Sequence, residues 1–510
     1  MRTNRMRSRT RTGLVAVASG VAVVLLSATA SAAPAPGAPG VGDPYYPGAG
    51  NGGFDIAHYD IRLTYQPATD LLSGTTTITA TATQDLSRFD LDFGLKVNSV
   101  LVNNAVAGFA NDAADHSELV VTPATALTKG QSLTIVVNYA DTPSKVVIDG
   151  YTAWKKTADG ALAVDEPQNA EWWYPSNDHP TDKATFDVSV EVPDNVSALS
   201  NGTLVSKTKK RLGWTRWNWR STQPQATYLT TLEVGAFQVN QSTTPEGRPF
   251  VSGYDPSLGA SLGAAQASVE RTPEIDAFLA TQFGPFPFEA QGGVVSGGLN
   301  FALEAQTRPV YGNGFFRNGS NTSVVAHENA HQWFGDSVSL GRWSDIWLNE
   351  GFASYAQLLW SEHEGEGTAD ELAEYLYQFY PADSAFWQVL PADPGVDNQF
   401  DDAVYDRGAM AIHALRKAVG DDSFFQILKA WQVAKKGTTG VIPEFIALAE
   451  KISGKPLYDL FQTWLYTKGK PAASPNGTPS RALTAHALAQ PKSFQQIEAT
   501  HRLLAAGEAK

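Results

Sequence analysis

The chain has 510 residues, no cysteine and a formal net charge of −14. That length exceeds one ordinary core and calls for two to three domains. The acidic balance argues against nucleic acid or an anionic membrane as partner, and the missing cysteine excludes both disulfides and a lipid-anchored cysteine.

In chain order, residues 1–32 read as a secretory signal. Arg2, Arg5, Arg7, Arg9 and Arg11 form a basic start, "GLVAVASGVAVVLL" is the apolar segment, and "ASA" at Ala30–Ala32 supplies small residues for cleavage near Ala33. The apolar run is too short and too early for a membrane-spanning helix, so the expectation is a secreted protein without stable membrane insertion. Removing those five arginines from 38 basic residues leaves 33 against 52 acidic ones, a net charge of −19. Residues 33–53, "APAPGAPGVGDPYYPGAGNGG", are rich in Pro and Gly and predict a flexible leader.

Residues 54–253 have a β texture. "YDIRLTYQ", "GTTTITATAT", "SLTIVVNYA", "ATFDVSVEVP" and "ATYLTTLEVGAFQV" alternate polar with apolar, are rich in β-branched residues and are separated by turn residues, which predicts a large antiparallel domain. The aromatics there, including Trp172, Trp173, Trp214, Trp217 and Trp219, are expected in packing. From 254 to 471 the period becomes helical, in "SVERTPEIDAFLATQFG", "TSVVAHENAHQWFGDSV", "NEGFASYAQLLWSEHEG" and "DRGAMAIHALRKAVG". Residues 472–510 read as a tail richer in Ala, Pro and polar residues. The fold class is therefore α+β and multidomain.

Within the helical part, "HENAH" places His327 and His331 four apart, on one face of a helix, where two imidazoles can meet one ion. This matches the H-E-x-x-H pattern of zinc enzymes, with Glu328 aimed at water beside the metal. Glu350 in "DIWLNEGFASYAQ" follows His331 after 18 residues and is the candidate third ligand. One Zn²⁺ held by His₂Glu keeps an open position for water, and Glu328 as general base makes peptide hydrolysis the natural chemistry. His58, His116, His179, His363, His413, His486 and His501 lack ligand spacing and are expected at the surface or in packing.

"HENAHQWFG", the 18-residue gap and "WLNEGFASY" resemble the aminopeptidase N family of zinc metallopeptidases, the gluzincins, along nearly the whole chain to about Pro471. The resemblance implies an N-terminal antiparallel β saddle domain followed by a mostly helical, thermolysin-like zinc peptidase domain. "FALEA" stands where the family has Gly-Ala-Met-Glu-Asn, with Tyr311 at the matching distance beyond, so Glu304 is implied to bind the substrate α-amine, with Ala302 and Leu303 beside it in the substrate strand. "DEPQNAEWWYPSNDHPTDKATF" is similar to the β-domain segment that reaches the active site, which makes Glu166 a second amine anchor. "VYDRGAMAIHALRKAVG" resembles the Tyr-x-Lys-Gly element, implying that Tyr405 donates to the oxyanion.

Departures from the family pattern bear on specificity. Its Gly and Asn in the amine-binding segment are Phe301 and Ala305 here, its Gln near Glu166 is Val164, and its Lys in the tyrosine element is Arg407, which keeps charge but changes geometry. With about 40 residues after Pro471, no large C-terminal helical domain covers the site, and a more open cleft is expected. The expected function is a monomeric secreted aminopeptidase acting on peptides. An endopeptidase with the same zinc site and an inactive peptide-binding protein are the alternatives.

Overall fold

The computed structural model describes residues 33–112, 117–148, 150–480 and 488–508. The signal segment 1–32, His116 and His486 lie outside these residues. No helix among the described residues is long and apolar enough to cross a membrane.

The alternating segments form the expected β half. Its largest sheet has eight strands in the order 203–211, 214–225, 184–193, 54–66, 71–82, 132–141, 97–102 and 105–106. Strand Ala184–Pro193 shows why: Ala184, Phe186, Val188, Val190 and Val192 are buried while every intervening residue is part-exposed, the period of two that a half-buried strand requires. One junction departs from the antiparallel expectation, since Ala184–Pro193 pairs in parallel with Phe54–Gln66. "ATYLTTLEVGAFQV" is not one strand. Its first residues form a loop placing buried Thr227, Tyr228 and Thr230, and only Leu232–Gly235 and Gln238–Thr243 are extended.

A five-stranded sheet follows, ordered 238–243, 249–254, 291–296, 310–312 and 302–303. The expected domain boundary at 253/254 cuts its strand Pro249–Tyr254, so this sheet begins before the composition turns helical. Helix Trp347–Glu364 packs against both Thr322–Ala330 and Gly408–Val419.

Both chain-end readings need correction. Residues 33–53 are not a flexible leader. Ala35–Pro36 pairs with the strand Leu86–Asp92, the Tyr45 hydroxyl donates to Asp393 Oδ1 at 2.5 Å and the Tyr46 hydroxyl donates to Gln399 Oε1 at 2.7 Å. Asp43 is the central anchor, accepting from the backbone N–H groups of Tyr45 (2.8 Å), Tyr46 (3.1 Å) and Trp343 (2.8 Å) and facing His179 Nε2 at 3.3 Å. Composition misled because an irregular segment packs as well as a regular one once its polar groups find partners. The tail likewise ends in a helix, Phe494–Glu508, that packs on Thr322–Ala330.

Burial alone would raise the Asp43 carboxyl, but His179 and these three N–H groups outweigh it and hold its pKa below 3.8. A depressed pKa stabilises the fold above the unfolded-state value near 3.9, and that contribution fades as pH falls through the folded value. Asp43→Ala is expected to lower stability at pH 7 by about 2–3 kcal/mol, because it strands buried donors, and the deficit should shrink below pH 4. Urea unfolding at pH 7 and pH 3.5 checks both, and unchanged stability at pH 7 would mean that the N-terminal segment is dispensable.

Candidate active site

The helix Thr322–Ala330 starts at Asn321, whose side chain accepts from the Val324 N–H at 3.1 Å, an ordinary N-cap. It presents His327 and Glu328 and ends as His331 begins the turn into "QWFGD". Glu350 lies in the first turn of Trp347–Glu364. The structure brings the three expected ligands together: Glu350 Oε2 is 3.1 Å from His327 Nε2 and 3.5 Å from His331 Nε2, and each residue offers one ligand atom within 4.8 Å of the others.

The ring tautomers suit metal binding. His327 Nδ1 donates to Gln357 Oε1 at 3.0 Å, and His331 Nδ1 donates to the Phe334 carbonyl at 3.0 Å. Both Nε2 atoms therefore turn lone pairs toward Glu350. All three residues are at most 3% exposed. Burial drives His327 toward neutrality, with a pKa of about 4. At His331 burial is overcome by Glu350, Glu304 and Glu328, which favour positive charge there. At Glu350 burial is likewise overcome, by His331 and His327, and its pKa is held at about 2. Two nitrogens and one carboxylate oxygen, with an electrostatic demand for a cation, fit Zn²⁺.

Glu328 is buried, and its Oε1 has no hydrogen-bond partner among the described residues. Burial pushes its pKa well up, against the pull of His331. Tyr405 sits in a π-helical turn, Ala403–Arg407, with its ring stacked on His327 at 5.9 Å between centroids. Two glycines set this approach. A Cβ on Gly408 would lie 2.9 Å from Trp347 Cδ1 and 3.1 Å from Gly351 Cα, and one on Gly351 would lie 2.6 Å from the Trp347 ring. Arg407 is not a solvent-facing charge. It is fully buried and donates to the carbonyls of Trp464, Trp387, Val389, Thr463 and Thr467, so it clamps the turn that carries Tyr405.

Glu304 follows the edge strand Ala302–Leu303, and all three side chains are buried. Glu304 Oε1 accepts from the Tyr228 hydroxyl at 2.9 Å, and burial raises its pKa against the nearby His331. Burial and then the charges of Glu304 and Glu166 push the Tyr228 phenol pKa well up. Glu166 lines a cavity of about 640 Å³ with Tyr46, Gln168, Asp402, Arg502 and Ala505. A polar concavity of about 660 Å³ lies on the eight-stranded sheet around Arg62, Asp187 and Arg220, none of which is part of the histidine and glutamate cluster.

Arg502 and Ala505 of Phe494–Glu508 and Tyr46 of the N-terminal segment contribute to the wall of the Glu166 cavity. Three residues in contact with the expected ones went unrecognised in sequence. Gln357 stands two helical turns after Glu350, a spacing that puts it on the same face. Tyr228 looked like part of a strand. His501, assigned to surface or packing, is 1% exposed, with its ring centroid 6.0 Å from that of His327. No local pattern could mark it, 170 residues beyond His331.

Known proteins give the same picture. The model of the peptidase M1 N-terminal domain matches residues 56–229, and that of the peptidase family M1 domain matches residues 315–464. Glutamyl aminopeptidase of Rattus norvegicus is 26% identical over 354 residues, which cover 64% of this chain and 36% of the rat protein. Aminopeptidase M1-B of Oryza sativa subsp. japonica is 28% identical over 337 residues, which cover 61% of this chain and 37% of that protein. The chain thus spans little more than a third of the length of these relatives. An M1 zinc metallopeptidase crystal structure from Deinococcus radiodurans is 30% identical with a TM-score of 0.76, covering 86% of this chain and 99% of that one. A mutant M1 zinc metallopeptidase from that organism, bound to a Tyr-Ser-Ala substrate, is 29% identical with a TM-score of 0.75, covering 85% and 99%. Two family models on the two halves, and a solved structure matched over nearly its full length, agree with the His₂Glu cluster: this chain belongs to peptidase family M1, a family of zinc metallopeptidases.

Proposed function

We propose that the protein is a secreted aminopeptidase that removes N-terminal residues from peptides. The observation that carries the exopeptidase reading is Glu304, a buried carboxylate directly after the edge strand Ala302–Leu303, which accepts from the Tyr228 hydroxyl at 2.9 Å. A buried carboxylate that pairs with an ammonium group in a dry place discriminates strongly against an internal peptide bond. The edge strand Ala302–Leu303 pairs on one side with Val310–Gly312 and ends its sheet, so its other edge can pair with an extended substrate backbone. Export is read from the basic start and the apolar run of residues 1–32.

His327, His331 and Glu350 hold the metal. Zn²⁺ in that place supplies Lewis acidity toward water and the scissile carbonyl. Glu328 takes the proton of the attacking water on its carboxylate and returns it to the departing amine. Tyr405 donates from its hydroxyl to the oxygen that becomes negative. Glu304 and Glu166 hold the α-amine, and Tyr228 orients Glu304. The endopeptidase alternative rests on an open C-terminal side and on Phe301 and Ala305 in the amine-binding segment; the helix Phe494–Glu508, packed on Thr322–Ala330, weighs against the first of these grounds.

Glu328→Gln is expected to keep zinc near one equivalent per chain while kcat falls by at least about 10³-fold, since both proton transfers are lost. Metal analysis alongside steady-state kinetics checks it, and turnover within tenfold of wild type would remove Glu328 from the reaction. Glu304→Gln is expected to raise KM for aminoacyl amides by about 10–100-fold, the worth of one charge-assisted bond. Free aminoacyl amides and N-acetylated peptides, assayed with and without a chelator, test the class: chelator-sensitive cleavage confined to free amines is expected, and cleavage of blocked peptides overturns the exopeptidase reading.

A further inference from the structure

The helix Phe494–Glu508 lies beyond the residues that the family models match, yet its contacts run along the active site. Thr500 Oγ1 accepts from Asn321 Nδ2 at 3.1 Å, touching the residue that caps the metal helix. Gly507 lies against Phe301, where a Cβ would come within 2.3 Å of the Phe301 Cβ. Phe301 stands where the resembling family has glycine, so the missing side chain on the helix accommodates the added one on the substrate strand. Between these two contacts lies His501.

His501 Nε2 is 2.5 Å from Gln357 Oε1, and its Nδ1 is 2.7 Å from Asp406 Oδ1. Gln357 Nε2 donates to Ser323 Oγ at 2.7 Å, which orients the amide. Its oxygen is acceptor-only, so it accepts one hydrogen bond from His327 Nδ1 and a second from His501 Nε2. On the other side, Asp406 Oδ2 accepts from the Tyr380 hydroxyl at 2.5 Å. Asp406 directly follows Tyr405, and the His501 ring lies 5.7 Å from the Tyr405 ring between centroids. One side chain thus joins the partner of a metal ligand to the turn that carries the oxyanion donor.

We propose that His501 is a positioning residue for both halves of the catalytic apparatus: through Gln357 it fixes the His327 ring, and through Asp406 it fixes the Tyr405 turn. The C-terminal helix is then a component of the active site. Groups that hold a ligating histidine from behind change metal affinity or activity by about 10–100-fold when removed. An imidazole serves here because it reaches an acceptor at each of two ring nitrogens while filling a buried space.

The test compares His501→Leu, which removes both hydrogen bonds, with His501→Gln, which keeps a donor of similar size, and with Leu504→Ala, a packing change at a buried position of the same helix. Zinc dissociation constants are measured on the full chain by competition with a chromogenic chelator, and kcat and KM on an aminoacyl amide. His501→Leu is expected to weaken zinc about 10–100-fold and to lower kcat with KM little changed. His501→Gln should fall between it and wild type, and Leu504→Ala should lower Tm with zinc affinity within about twofold of wild type. Wild-type zinc affinity and kcat in His501→Leu overturn the proposal, as does equal loss of zinc affinity in Leu504→Ala, which would reduce the role to packing. If His501→Leu does not fold, His501→Gln decides: a several-fold weaker zinc affinity supports the role and a wild-type value removes it. Zinc affinity is read without substrate, so failure of the exopeptidase reading leaves this result standing.

Discussion

Glu304, Glu328, Asp336 and Glu350 are all buried, and each lies near enough to His331 to alter its charge or be altered by it. Two like charges 4 Å apart repel by about 4 kcal/mol at an effective dielectric constant of 20, so such a group of carboxylates holds together only around positive charge. Burial raises Glu304, Glu328 and Asp336, while the imidazoles pull Glu350 down. Glu350 is thus the carboxylate that favours the charged form a ligand needs, while Glu328 favours the form that holds a proton. A small difference in surroundings separates the two roles, as it must where one site needs both a ligand and a base.

Such a cluster demands a stiff frame, because a ligand free to rotate would relieve the repulsion by moving away. Each ring is held from behind, His327 by Gln357 and His331 by the Phe334 carbonyl. The Tyr405 turn is held by the Arg407 guanidinium on five backbone carbonyls. Gly351 and Gly408 let the Glu350 helix and that turn approach to a distance that any Cβ would forbid. Arg407 therefore spends its charge on backbone oxygens, and its five donors in one plane suit this in a way that a lysine ammonium would not.

The two ends of the described chain complete the enclosure. Tyr46 from the N-terminal segment and Arg502 and Ala505 from the C-terminal helix line the same cavity as Glu166. Segments at opposite ends of the sequence thus wall one cavity, and the three metal ligands are at most 3% exposed.

The sequence by itself determined the β half, the helical half and the three metal ligands. Each rests on a local period: alternation for the strands, and a four-residue spacing that stacks His327 and His331 on one helical face. Glu350, Glu304 and Tyr405 became legible through short motifs at fixed distances, and Gln357 was readable in principle from its place two turns after Glu350. Only the tertiary structure decided the rest. Tyr228 depends on a loop inside what looked like a strand, and Asp43 depends on a partner 300 residues away. His501 depends on a helix that composition had assigned to a tail. Contacts between segments far apart in the chain leave no period behind, because each residue there answers to a partner whose position is set by folding and not by its neighbours in sequence.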